Sequence, residues 1–345
     1  MRAVFVTAAA GLAALFVATG NGGGRPETHA VRPGGINVEP SMRPWRYVGA
    51  NPDGWWCERG ACNGVANGTV FVNRELKLIA RLHVRLLRLE FPRPLIEPRR
   101  GVYDWRRADY IVRRARHFHV KLLPLLLYTP SWDGATPATP PHPATWYAFV
   151  AAFAHRYRAS IDAYDLWDEP DFHYYWTGDA KDYVQDVLVP GYRAVKKQDP
   201  SARVILGGPQ TANIDWLNAI YANGGGTFFD VMQFHDYIAD KQIFDHAQQV
   251  LGVLRAHGQP RKPIWLGEYG LQEAGVNDVH QAALVQLVLT GKSSIALAAW
   301  YSLRDDDVMT CCPPSLVKHE TYGVMTKQYV PKRGFATMRQ LLVSP

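Results

Sequence analysis

A short apolar run ends in adjacent acidic residues in the stretch Tyr164-Asp165-Leu166-Trp167-Asp168-Glu169-Pro170-Asp171. A second run also ends in a glutamate, in Ile264-Trp265-Leu266-Gly267-Glu268-Tyr269-Gly270. Both belong to a series of eight β-branched or leucine-rich runs, which begin near Val48, Val84, Lys121, Ala163, Val204, Val231, Ile264 and Ile295. Segments of helical period separate the runs, and such alternation is typical of βα units around a parallel sheet. Eight units of about 35 residues predict an α/β fold, a single-domain (β/α)8 TIM barrel.

A doubly wound sheet is the alternative architecture for alternating strands and helices. It normally carries a glycine-rich phosphate-binding turn after an early strand, and the chain has neither G-x-G-x-x-G nor G-x-x-x-x-G-K-[ST]. The predicted helices can be recognised in the sequence from their apolar stripes. Asp104 is the predicted N-cap of a helix whose stripe consists of Ala108, Ile111, Val112 and Ala115.

The composition is that of an ordinary globular protein. Of the 345 residues, 47% are hydrophobic and 20% are charged, which excludes a disordered chain. The 38 basic and 31 acidic residues leave a formal net charge of +7. This excess is too weak to indicate a nucleic-acid partner.

The N-terminal twenty residues have the features of a secretory signal peptide. Arg2 precedes an apolar run over residues 3–18, and the small residues Ala18, Thr19 and Gly20 follow. We therefore predict a secreted, periplasmic or cell-surface protein, with an uncleaved signal anchor as the open alternative. No later segment is long enough to span a membrane. Residues 21–43 are rich in glycine and proline and are predicted to be a flexible tether, which leaves 44–345 for the barrel.

Export makes the four cysteines candidates for disulfides. Cys57 and Cys62 lie near the start of the predicted barrel, and Cys311 and Cys312 near its end. Four cysteines allow three connectivities. A zinc site is the less favoured alternative, because two adjacent cysteines lack the usual gap between paired zinc ligands.

The catalytic groups of a TIM barrel lie where strands end and the following loops begin, which draws attention to Glu169 and Glu268. Two carboxylates at one barrel face can flank a glycosidic bond, where one protonates the leaving oxygen and the other attacks the anomeric carbon. Each glutamate could instead cap a strand end or pair with an arginine. The surrounding motifs favour the catalytic interpretation.

The chain resembles the clan A retaining glycoside hydrolases, and within them family 39 and its cellulase-like bacterial relatives. The clearest motif is Trp167-Asp168-Glu169-Pro170, which is similar to the Trp-Asn-Glu-Pro stretch around the acid/base glutamate of that clan. Further stretches resemble these enzymes in the same order, namely Val84 to Phe91, Gly101 to Trp105, His235 to Tyr237, Trp300 to Asp305 and Tyr322 to Val324.

The resemblance implies a role for several residues. Glu169 would be the acid/base and Glu268 the nucleophile. Arg88 and Tyr237 would orient Glu268 through hydrogen bonds, and Trp300 would form the floor under the sugar that is cleaved.

Three further residues complete the predicted substrate-binding set. His235 is part of the motif that contains Tyr237, and Trp132 is a loop aromatic on which a sugar ring could stack. Asp168 occupies the place of the clan's asparagine, whose amide donates to the sugar 2-hydroxyl. An ionised aspartate can only accept. The sugar hydroxyl would then donate, Asp168 would be protonated, the substrate would differ at that position, or the site would be inactive.

These observations predict a monomeric retaining glycoside hydrolase for a β-linked oligo- or polysaccharide, without metal or organic cofactor. A catalytically silent carbohydrate-binding barrel is the alternative, and the aspartate at position 168 is the reason to keep it.

Overall fold

The computed structural model describes residues 33–38, 55–56, 68–84, 86–273, 279–309 and 317–343. Eight parallel strands lie side by side in the order β5-β4-β3-β2-β1-β8-β7-β6. An additional parallel bridge between Ile205 and Val231 joins β5 to the start of β6 and brings the two ends of the sheet together. The strands are β1 Gly34–Val38, β2 Leu86–Pro92, β3 Leu122–Leu127, β4 Ala163–Leu166, β5 Arg203–Leu206, β6 Met232–His235, β7 Ile264–Tyr269 and β8 Ile295–Trp300.

Helices connect the strands and cover the outside of the sheet. They are α1 Gly68–Leu82, α2 Arg93–Ile96, α3 Arg106–His117, α4 Pro143–Tyr157, α5 Ala180–Asp182, α6 Val189–Gln198, α7 Ile214–Ala222, α8 Gln242–Ala256, α9 Val279–Thr290 and α10 Arg333–Val343. A π-helical segment, Tyr183–Leu188, joins α5 to α6, and an antiparallel hairpin of β9 Asp306–Met309 and β10 Val317–Glu320 follows β8. The predicted (β/α)8 barrel is confirmed.

Seven of the eight strands begin within two residues of the predicted positions, and the first does not. We predicted it near residue 48, which lies outside the described residues, whereas β1 lies within the predicted 21–43 tether. The tether prediction is therefore wrong for residues 34–38, and the barrel begins before residue 44. Gly35 explains the error, because a Cβ on it would lie 3.0 Å from Ala299 Cβ on the neighbouring β8. The glycine that suggested a linker permits close packing of two strands.

A cluster of apolar side chains, which we call the interior layer, fills part of the barrel interior. This layer consists of Leu86, Leu123, Ala163, Ile205, Val231, Trp265, Leu297 and Ala299. Side chains two residues apart on a strand point to the same face. The next inward positions carry buried polar groups, including Asn37, Arg88, Asp165 and Gln233. The carboxyl end of the barrel is therefore lined with hydrogen-bonding and charged groups.

Helix α3 has the predicted apolar stripe but begins one residue later than its predicted cap implies. Trp105 occupies the N-cap position, and Asp104 Oδ1 still accepts a hydrogen bond from the Arg106 amide at 3.2 Å. The stripe residues Ala108, Ile111, Val112 and Ala115 are all buried.

The predicted signal peptide over residues 1–20 and all four cysteines lie outside the described residues. Export, disulfides and their connectivity therefore stay predictions. Among the helices within the described ranges, none combines the length and the apolarity needed to cross a membrane.

Candidate active site

Glu268 reaches the barrel interior through an irregularity in β7. Trp265 belongs to the interior layer, so simple alternation would point Gly267 inward and Glu268 outward. The pairing of β7 shifts register against both neighbouring strands close to this point. Asn37 Nδ2 donates to the Gly267 carbonyl at 3.0 Å across the irregular segment. Such bulges are known to re-aim a side chain, and Glu268 is thereby brought inside.

Glu169 is placed by an unusual backbone that follows β4. Both Trp167 and Glu169 have positive φ angles, of 80° and 36°. The Trp167 ring packs edge-on against Trp146 and Trp176, with centroid distances of 5.6 and 5.1 Å. With this indole packed among aromatic rings, Asp168 and Glu169 are free to contact interior groups of other strands. Sparsely populated backbone conformations at such positions often mark functional sites.

The two glutamates converge on one imidazole nitrogen. His235 Nδ1 lies 3.1 Å from Glu169 Oε1 and 3.6 Å from Glu268 Oε2. His235 is fully buried at the end of β6, and the two carboxylates are 7% and 4% exposed. The carboxylates therefore lie next to each other at the same end of the barrel, largely shielded from solvent.

Arg88 joins three carboxylates at the centre of the site. Its Nε donates to Asp165 Oδ2 at 2.7 Å and its Nη2 to Asp168 Oδ1 at 2.7 Å. Its Nη1 donates to Glu268 Oε1, and Tyr237 donates to the other oxygen of Glu268 at 2.6 Å. Arg88 and Tyr237 thus both contact Glu268, as the family resemblance implies.

Burial and neighbouring charges shift the ionisation of this cluster. Burial raises the pKa of Glu169 to about 7, and the negative charges of Asp168 and Glu268 act in the same direction, against the hydrogen bond from His235. Burial also raises the pKa of Asp168, as does Glu268, while Arg88 opposes the shift.

For His235, the neighbouring carboxylates together have a larger effect on the pKa than burial has. Burial lowers the pKa of its imidazole, but the charge of Glu268, the hydrogen bond to Glu169 and the charge of Asp168 outweigh burial and raise it to about 9. At neutral pH His235 is therefore an imidazolium that can donate to Glu169.

Asp168, His235 and Glu268 also bring potential metal-ligand atoms together, within 4.8 Å of one another. Arg88 already donates to both of these carboxylates. A protonated imidazole cannot ligate a metal through the nitrogen that holds the proton. The cluster is thus better suited to charge pairing than to metal binding, and we continue to expect no metal or organic cofactor.

Trp300 does not present its ring to the barrel mouth, which corrects its predicted role as the sugar floor. Leu297 and Ala299 belong to the interior layer, so alternation points Trp300 outward. Its ring is fully buried, packs on Tyr269 at a centroid distance of 5.1 Å and donates through Nε1 to the Tyr322 carbonyl.

The next residue has the inward parity. Tyr301 is half-buried, and its ring centroid lies 6.1 Å from that of Tyr237 and 5.5 Å from that of Tyr322. Because Tyr237 contacts Glu268, Tyr301 packs against a residue of the candidate active site.

Trp132 lies in the loop after β3 and is half-buried. Its indole Nε1 donates to the Glu97 carbonyl at 3.0 Å, and the Arg93 guanidinium lies over its ring at 4.8 Å. These contacts attach Trp132 to the segment that follows β2. Its predicted stacking on a sugar stays a prediction.

Sequence reasoning missed the polar support of the cluster. Asp165, Gln233 and Asn37 were not assigned a role, although each lies within a strand and is completely buried. The signal was present for Asp165, which is a charged residue inside the apolar run Ala163–Leu166. Buried charged groups need partners, so such a residue predicts a buried cation nearby.

Eight parallel strands, their covering helices and a buried carboxylate cluster at the carboxyl end form a barrel that is similar to those of glycoside hydrolases. Residues 167–327 match the family model described as glycosyl hydrolase catalytic core. This match begins at Trp167, extends beyond β10 and covers slightly less than half of the chain, and it supports the glycosidase class that the sequence predicts. No curated protein matches the chain.

Solved structures with similar folds are bacterial glycosidases of low sequence identity. A GH39 β-xylosidase from Caulobacter crescentus is 18% identical, with 91% of this chain and 73% of that chain covered and a TM-score of 0.68. A glucosidase from Croceicoccus marinus is 13% identical, with 92% and 69% covered and a TM-score of 0.67. A GH39 enzyme from Xanthomonas axonopodis pv. citri is 17% identical, with 92% and 71% covered and a TM-score of 0.65. These similarities confirm the (β/α)8 barrel fold.

Proposed function

We propose that the chain hydrolyses a β-linked glycoside with retention of anomeric configuration, by double displacement. Glu268 is the nucleophile and Glu169 the general acid/base. The observation that carries the proposal is the convergence of both carboxylates on His235 Nδ1, at 3.1 and 3.6 Å. In retaining enzymes the two carboxyl groups lie about 5 to 5.5 Å apart, and in inverting enzymes about 6.5 to 9.5 Å, because a water must fit between them.

The surroundings of the two glutamates support different roles. Glu268 accepts hydrogen bonds from Arg88 and Tyr237, one on each oxygen, and both favour the ionised form that attacks a carbon. Glu169, with a pKa raised to about 7, holds a proton in weakly acidic solution. Two carboxyl groups with different environments are what acid and nucleophile require.

The reaction then proceeds in two displacements. In the first, Glu268 attacks the anomeric carbon while Glu169 transfers its proton to the leaving oxygen, which gives a covalent glycosyl–enzyme. In the second, Glu169 removes a proton from water, and the water oxygen displaces Glu268 from the anomeric carbon. His235 donates to Glu169 and so steadies the carboxylate that forms between the two steps.

We also propose a saccharide substrate for a monomeric, exported protein. One similar solved structure is described as a monomeric β-xylosidase from Caulobacter crescentus CB15, with 17% identity over 92% of this chain and 70% of that chain. The first substrates to test are therefore aryl β-xylosides and β-glucosides, followed by neutral and acidic polysaccharides.

The test compares two variants on substrates that differ in their leaving groups. Glu268→Gln removes the nucleophile and should abolish turnover on every substrate. Glu169→Ala should reduce kcat/KM, which reports the first displacement, by about 10² to 10⁴-fold on alkyl or sugar leaving groups, which need a proton, and much less on dinitrophenyl glycosides. Early product spectra by NMR should show the β-anomer. An α-anomer, or equal losses on both kinds of leaving group, would contradict the proposed roles.

Glu75→Gln is a suitable control variant. Glu75 is a buried carboxylate of α1 that accepts hydrogen bonds from Trp55 Nε1 and Tyr329. It belongs to a different cluster, so its removal should leave the leaving-group dependence unchanged.

A catalytically silent carbohydrate-binding barrel is the second candidate, and Asp168 is the observation that favours it. Its carboxylate adds negative charge beside both glutamates. Tight binding of saccharides by calorimetry, without turnover of any glycoside in the panel, would establish this alternative.

A further inference from the structure

Asp165 is a buried carboxylate that the proposed mechanism does not use. It lies in β4 with an inward-pointing side chain and has no solvent-accessible surface. Its Oδ2 accepts two hydrogen bonds, from Arg88 Nε at 2.7 Å and from Gln233 Nε2 at 3.0 Å. A carboxylate at this depth requires a structural or functional reason, because an isolated buried charge is very unfavourable.

Arg88 contacts Asp168 and Glu268 through its two terminal nitrogens, which are part of one rigid plane. A guanidinium can direct both nitrogens at two different carboxylates only over a narrow range of orientations of its plane. The two terminal contacts alone would still allow the plane to tilt about the line that joins Nη1 and Nη2, and Nε lies off that line. A third hydrogen bond at Nε, on another edge of the plane, prevents this motion.

We propose that Asp165 is a positioning residue, which fixes the plane of Arg88 and through it the carboxylate of Glu268. The inference rests on the proposed function, in which Glu268 attacks the anomeric carbon. Gln233 supports Asp165 from β6 by donating to the same oxygen that Arg88 contacts. The nucleophile on β7 is thus held in place by a chain of contacts that begins in β4 and β6.

Two substitutions of Asp165 can separate its effect on the position of Arg88 from the effect of its negative charge. Asp165→Asn can keep an oxygen at the Oδ2 position, so both donors retain their acceptor while the negative charge is lost. Asp165→Ala removes the acceptor and leaves Arg88 Nε–H without its present partner. A positioning role predicts that these variants differ strongly, whereas a role of charge alone predicts that they behave alike.

The experiment measures kcat and KM of both variants on an aryl β-glycoside that the wild-type protein cleaves. Asp165→Ala should lower kcat by about 10²-fold, since misplacement of a reacting group by about 1 Å costs that much. Asp165→Asn should stay within about tenfold of wild type, because it keeps the positioning contact. Glu75→Ala is the matched control for the loss of a buried, hydrogen-bonded carboxylate, and its kcat per folded molecule should equal that of wild type.

A second readout does not depend on turnover. The Arg88 Nε–H signal in a ¹H–¹⁵N spectrum, assigned through its absence in Arg88→Lys, should exchange slowly with water in wild type and in Asp165→Asn. It should exchange fast in Asp165→Ala. If the wild-type protein cleaves no glycoside, the proposed function fails, and this exchange measurement still decides whether Asp165 fixes Arg88.

Three results would overturn the proposal. They are an unchanged kcat of folded Asp165→Ala, an equal loss in Asp165→Asn and Asp165→Ala, and slow exchange of the Arg88 Nε–H in Asp165→Ala.

Discussion

Replacement of Asp168 by asparagine tests how charge sets the acidity of the site. Asp168 Oδ1 lies 2.7 Å from Arg88 Nη2 and 4.0 Å from His235 Nε2. The negative charge of Asp168 contributes to the raised pKa values of both His235 and Glu169. Asp168→Asn removes this charge while keeping an oxygen that can accept from Arg88.

The magnitude follows from the distance to His235. Unit charges 4 Å apart interact by about 4 kcal/mol at an effective dielectric constant of about 20. That energy corresponds to about three pKa units. Arg88 is closer to Asp168 than His235 is and offsets most of this effect. We therefore expect decreases of about one unit, which is about 1.4 kcal/mol, for each group.

Asp168→Asn should lower the pKa of both Glu169 and His235. Loss of a neighbouring negative charge favours the ionised form of Glu169, so its pKa should fall from about 7 towards 6. It disfavours the imidazolium of His235, whose pKa should fall from about 9 towards 8. At pH 7 the protonated fraction of Glu169 falls from about one half to about one tenth, which lowers kcat/KM about fivefold.

The assay has two parts. NMR titration of His235 follows the imidazole directly, and the pH dependence of kcat/KM follows the protonated form of Glu169 through its basic limb. The variant should lose activity at pH 7 and recover relative to wild type at pH 5, where Glu169 is protonated in both proteins. Glu75→Gln, which removes a buried carboxylate of α1, should change neither curve. An unchanged basic limb together with an unchanged His235 titration would refute the reasoning.

Three further predictions concern packing and cysteines. Gly208→Ala should lower kcat at least about tenfold, because its Cβ would lie 2.7 Å from His235 Nε2 and displace the ring from Glu169. Unchanged kcat would show that the ring can move without consequence. Tyr301→Ala should raise KM for glycosides about tenfold, since an aromatic face at the mouth is lost, whereas Trp300→Phe should mainly lower the melting temperature in a thermal-unfolding scan. The reverse pattern would restore the sugar-floor role of Trp300. The cysteines at positions 57, 62, 311 and 312 should be oxidised in exported protein. Four free thiols in a titration of the unreduced, denatured chain would exclude the disulfides.

The alternation of apolar runs and helical periods was sufficient to predict seven of the eight strands. These strands are buried on both faces, so their sequences are mostly apolar, interrupted by a few buried polar residues such as Arg88, Asp165 and Gln233. The segment that forms β1, with Gly34 and Gly35 before Ile36, has no such run. Gly35 permits a close approach to β8, and only the position of β8 reveals that requirement.

Site residues that lie in a recognisable sequence motif could be predicted. Contacts between side chains of distant strands could not. Glu169 and Glu268 came from their stretches of sequence, and with them Arg88 and Tyr237. The partner of Asp165 could be identified only from the three-dimensional structure, because Arg88 lies on another strand and 77 residues away along the chain.

The sequence also did not reveal whether a side chain at the end of a strand points into or out of the barrel. Strands β7 and β8 show why. Counting by two from Trp265 places Glu268 outside the barrel, yet the register shift turns it inward and leaves Tyr269 outside, where it packs on Trp300. In β8 no shift interrupts the count from Leu297 and Ala299, so Trp300 stays outside and Tyr301 follows inside. A bulge exchanges the faces of every residue after it, and its position depends on backbone pairing rather than on side-chain type. Glu268 was therefore assigned from its place at a strand end and from the family resemblance, without its side-chain direction, and Trp300 on the neighbouring strand was assigned to the wrong face.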